Sequence, residues 1–65
     1  MDLANEIQEW IEQYCETNRK SLTQDTIEEI AVTLSEHFSS QGYEEIADIP
    51  DNLLAEKINE EVESA

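Results

Sequence analysis

The stretch TQDTIEEIAVTLSEHFSSQG, residues 23–42, carries a start signal, an apolar stripe and a stop signal in one run. Ile27, Ile30, Ala31, Leu34 and Phe38 recur at spacings of three and four. Side chains so spaced stack on one face of an α-helix, so the run reads as an amphipathic helix over about 23–40. Thr23 or Ser21 supplies an N-cap oxygen, and Asp25, Glu28 and Glu29 place negative charge against the positive helix start. Ser39-Ser40-Gln41-Gly42 ends it, because Gly42 can enter the left-handed conformation that closes a helix without a steric cost. Val32 and Thr33 fall off the stripe, which directs Val32 toward a second surface.

Upstream, Leu3, Ile7, Trp10, Ile11 and Tyr14 repeat the same periodicity with Cys15 at the border, and predict a helix over about 2–17 capped by Asp2. Thr17-Asn18-Arg19-Lys20-Ser21 lacks periodicity and reads as a turn; its two cations lie near the negative end of the first helix. Downstream of Gly42 the pattern weakens. Residues 43–48 are compatible with a short helix, and Pro50 rules out one continuous helix to the C-terminus because it lacks an amide hydrogen. Asp48 as N-cap, with Pro50 in the first turn, predicts a restart and a last helix over about 51–62 bearing Leu54, Ile58 and Val62 on one face; the final residues are expected to fray.

No alternating strand pattern occurs. Residues 1–65 therefore read as one all-α domain, a small three- to four-helix bundle. Leu3, Ile7, Trp10, Ile27, Ile30, Leu34, Phe38, Leu54 and Ile58 are its expected core. A chain this short has little apolar surface to bury, and one cysteine cannot form an internal disulfide, so a homodimer is one route to completing the core.

Charge is the strongest functional signal: seventeen acidic residues against three basic ones, for a net charge of −14. Such a field repels nucleic acid and anionic membranes and attracts basic protein surfaces, nucleic-acid-binding proteins among them. Glu6, Glu9, Glu12 and Glu16 recur along the first helix, with Glu28 and Glu36 on the second. Carboxylates three or four residues apart stand roughly 5–6 Å from each other, close to the scale of a phosphate row. These six are the expected partner-binding residues. Trp10 and Tyr14 read first as core; as exposed aromatics they would be binding anchors, since both bury much area while keeping a polar handle.

Enzymatic chemistry finds little support. Cys15 and His37 could meet across two helices, but each has an ordinary place at a core edge, and one glycine excludes a glycine-rich phosphate cradle. Asp48, Asp51 and Asn52 cluster around Pro50 without the spacing of a calcium loop and read better as helix caps, so neither metal nor cofactor is expected. An acidic N-terminus and the lack of a long apolar run predict no secretory leader and no membrane span, with the cytoplasm as the expected location. The sequence reading is thus a non-enzymatic regulator, inhibitor or adaptor that engages a basic protein surface. Its alternatives are a nucleic-acid mimic that blocks a DNA- or RNA-binding protein, and a self-assembling structural subunit.

Overall fold

The computed structural model describes residues 3–64 and forms a bundle of three helices, with no strand among those residues: α1 (Leu3–Thr17), α2 (Gln24–Ser40) and α3 (Asp51–Ser64). The Cα radius of gyration is 10.8 Å, close to the roughly 11 Å of a compact chain of this length. Leu3 of α1 lines a groove with Ser39 and Ser40 of α2, and Thr26 of α2 lines one with Ser64 of α3. Each neighbouring pair is therefore antiparallel, and the bundle runs up, down, up. α1 and α2 pack most extensively, whereas α1 and α3 approach each other more loosely.

Helix α2 forms where its sequence predicts. Thr23 is the N-cap, in extended backbone, and its Oγ1 accepts the Thr26 N–H at 3.2 Å. At the other end, Tyr43 N–H donates to Phe38 C=O and Gly42 N–H to Ser39 C=O, both at 3.0 Å. These are the paired bonds of a Schellman closure, with Gly42 at φ +96° in the left-handed position. The apolar contact that accompanies such closures is also present. The Tyr43 ring meets the Phe38 ring edge to face, with centroids 5.9 Å apart.

Helix α1 closes in the same way, with an unexpected residue in the key position. Lys20 N–H donates to Cys15 C=O at 2.8 Å and Arg19 N–H to Glu16 C=O at 3.4 Å, which places Arg19 at φ 55°. A side chain with a Cβ is strained there by about 1 kcal/mol, a cost glycine avoids. Arg19→Gly is therefore expected to stabilise the fold by about 0.5–1 kcal/mol, and Gly42→Ala to destabilise it by about 1 kcal/mol. Nothing lies within 4 Å of a Cβ built at Gly42, so that loss would come from the dihedral alone. Urea titrations of the two variants should move in opposite directions; a shift of the same sign for both would contradict the assignment.

Several expectations change between Gly42 and α3. The short helix expected over residues 43–48 shrinks to one 3₁₀ turn, Ile46–Asp48. Asp48 is not the N-cap of the last helix: it ends that turn, its N–H donating to Glu45 C=O at 3.0 Å. Pro50 lies just outside α3, not in its first turn, and its carbonyl accepts the Leu54 N–H at 3.0 Å. Ile49, absent from the predicted core, is buried. A 3₁₀ turn places residues three apart above one another, so Ile49 follows Ile46 toward α1 and α2. The far end of α3 remains helical through Ser64, whose Oγ donates to Glu60 C=O at 2.9 Å. The proposed Asp2 cap lies outside the described residues.

The core centres on Phe38, Ile7, Ile11, Leu54 and Ile58, all essentially without exposure, with Cys15, Ala31, Leu34 and Val62 around them. On α1 this corrects the predicted stripe. Ile7, Ile11 and Cys15 form an i, i+4, i+8 line facing α2, and Leu3 is only partly buried. Trp10 lies about 60° around the helix from Ile7 and is 39% exposed, so it is not a core residue.

Candidate functional site

Two features could meet a partner: the carboxylates on the outside of the helices, and the cleft beside Trp10. Both follow from the stripe on α1 turning toward α2.

Glu9, Glu12 and Glu16 occupy the outer face of α1, opposite the Ile7–Ile11–Cys15 line, and all three are exposed. Glu28 and Glu36 are likewise exposed on α2, where Asp25 and Glu29 join them around Val32, itself 49% exposed. Helix α3 adds exposed Glu56, Glu60 and Glu63. Among the described residues, the ion pairs are Lys20–Glu63 at 2.8 Å and Lys57–Glu60 at 3.7 Å. Cations of the chain thus answer part of the α3 ridge and leave the α1 and α2 ridges without a basic partner among those residues. Gln8 Nε2 donates to Glu12 Oε2 at 3.5 Å, a long contact from a neutral amide that leaves the carboxylate's charge in place.

Glu6 has a different place. Its Oε2 accepts the Ile46 N–H at 3.3 Å in a partly buried position, which ties α1 to the start of the 3₁₀ turn. A short turn of this kind leaves its first amides without internal partners, and the Glu6 carboxylate takes one of them. Glu6, grouped with the partner-binding residues from its spacing, is therefore engaged within the fold. Its forty-residue separation from Ile46 gave sequence periodicity nothing to detect.

The two aromatics also separate. Tyr14 is half-buried and its hydroxyl donates to Asn59 Oδ1, joining α1 to α3. Trp10, 39% exposed, lines a cleft of about 220 Å³ with Tyr14, Thr17, Ala55 and Ile58.

Cys15 and His37 do not form a pair. Cys15 is buried in the α1 face of the core, whereas His37 lies toward α3, lining a small cleft with Lys57 and Glu61 and contacting the Gln41 side chain at 3.1 Å. Burial pushes the Cys15 thiol above its ordinary value, with the nearby Lys20 charge opposing. Lys20 is itself raised by its hydrogen bond to Glu63 and by the Glu63 charge. Both groups hold their protons more tightly folded than unfolded, so their contributions are intact at neutral pH and are lost as pH rises. Stability should begin to fall as pH passes the ordinary thiol value near 8.5 and fall further beyond the lysine value near 10.4. In Cys15→Ala the first part of that decline should vanish. Urea midpoints measured across the alkaline range decide this, and a wild-type midpoint constant between about pH 8 and 10 would contradict it.

No helix among the described residues is long and apolar enough to cross a membrane. No protein-family model, no curated protein and no solved structure matches the chain.

Proposed function

We propose that this protein is a non-enzymatic regulator, inhibitor or adaptor that engages a basic protein surface through the carboxylates of α1 and α2. The observation that carries the reading is the array of Glu9, Glu12, Glu16, Glu28 and Glu36, all exposed and none ion-paired among the described residues. Like charges at helical spacing repel by a few tenths of a kcal/mol per pair. A net charge of −14 also opposes the compact state, and a cationic partner relieves both costs. Trp10 at the edge of the α1 ridge adds an aromatic of the kind favoured at interface centres.

The test is affinity capture of the tagged protein from lysate of its own host, after nuclease treatment, followed by titration of the purified partner at several salt concentrations. A dominant basic partner whose affinity falls steeply with salt is the expected result. Competition of that partner with DNA or RNA would narrow the role to nucleic-acid mimicry. Recovery of the bait alone as a stoichiometric oligomer would overturn the proposal in favour of self-assembly.

A further inference from the structure

We infer that the groove bounded by the start of α1, the end of α2 and the connection that follows α2 receives an arginine side chain of the basic partner. The inference rests on the proposed function and adds to it the residue the partner presents and the place where it docks.

This groove, of about 670 Å³, is lined by Leu3 of α1, by Glu36, Ser39 and Ser40 of α2, and by Tyr43 and Glu44 beyond it. The cleft beside Trp10 has no carboxylate in its lining, whereas here two carboxylates border the same space as a leucine and an aromatic ring. Glu36 and Glu44 are exposed, and neither has an ion pair among the described residues. The apolar part of the lining is fixed by the fold. Tyr43 is held by its N–H bond to Phe38 C=O at 3.0 Å and by its ring contact with Phe38, and Leu3 packs against the core.

The lining decides the occupant. Leucine and tyrosine beside two carboxylates complement a side chain that is apolar along its stem and cationic at its tip. A guanidinium meets these groups better than an ammonium does. Its planar fork can bond a carboxylate at two points, it is more weakly hydrated, and it packs on aromatic rings. Ser39 and Ser40 are the last residues of α2, so the groove also lies at the negative pole of a 17-residue helix, which favours a cation. A second copy of this chain is a poor occupant, because it would bring another −14 charge against the same carboxylates.

The probes are two synthetic alanine-based peptides with the same flanking lysines, one carrying a central arginine and the other a lysine in its place. Titrated at low salt into the ¹⁵N-labelled full chain, the arginine peptide should shift the amide signals of Ser39, Ser40, Tyr43 and Glu44 together and to saturation. It should bind about fivefold more tightly than its lysine twin, and Glu44→Gln should weaken it by about fivefold, the upper range for one exposed ion pair. Glu56→Gln, which removes the same charge on α3, should leave its affinity unchanged. Equal affinities of the two peptides, or equal effects of the two substitutions, would overturn the groove and leave the acidic-surface reading standing. Failure of both peptides to bind would overturn that reading as well. Groove signals that shift with protein concentration alone would assign the groove to a second copy and overturn the inference.

Discussion

Phe38→Ala is expected to lower the unfolding free energy by about 3–5 kcal/mol, the usual range for removing a fully buried aromatic. Phe38 has no exposed surface, and its ring meets Tyr43 and His37 edge to face, with centroids 5.9 and 5.4 Å away. The substitution would open a cavity in the centre of the bundle and remove the apolar contact that accompanies the closure of α2. A domain of 65 residues has about 3–10 kcal/mol of stability in total, so the variant should be largely unfolded or nearly so. Thermal melts followed by far-UV circular dichroism should show a midpoint lower by about 15–30 °C. Trp10→Ala provides the contrast, with an expected loss below about 1 kcal/mol because its side chain is substantially exposed. Equal losses for the two variants would show that Trp10 belongs to the core after all.

The second large effect concerns association. Reversing Glu9 and Glu12 to Lys changes the net charge from −14 to −10 and does so at the centre of the α1 ridge. Stopped-flow measurements with the captured partner should show association slowed by about tenfold at low salt, with a flatter salt dependence and little change in the dissociation rate. Neither carboxylate supports the fold through an ion pair among the described residues, so helicity should be retained. Glu6 is excluded from the pair because its reversal would also release the Ile46 amide and confuse binding with folding. An unchanged association rate in the double variant would remove α1 from the interface.

Local chemistry made much of the bundle legible before any packing was considered. The spacing of Ile27, Ile30, Ala31, Leu34 and Phe38, the Thr23 hydroxyl and the freedom of Gly42 each act within a few residues, and together they delimit α2. The net charge and the outward placement of Glu9, Glu12, Glu16, Glu28 and Glu36 were equally legible, because a residue opposite an apolar stripe has few places to go but solvent.

What tertiary structure alone decided concerns direction and distance. Both Ile11 and Trp10 fit the periodicity of α1, and only the position of α2 selected the Ile7–Ile11–Cys15 line and left Trp10 beside a cleft. Asp48 had the composition of an N-cap, but the chain needed a 3₁₀ turn there to bury Ile49, and the helix restarted after Pro50. The Glu6–Ile46, Tyr14–Asn59 and Lys20–Glu63 contacts join residues forty or more positions apart. Periodicity and capping are short-range and can be read along the chain, whereas these pairings exist only once three helices share one core.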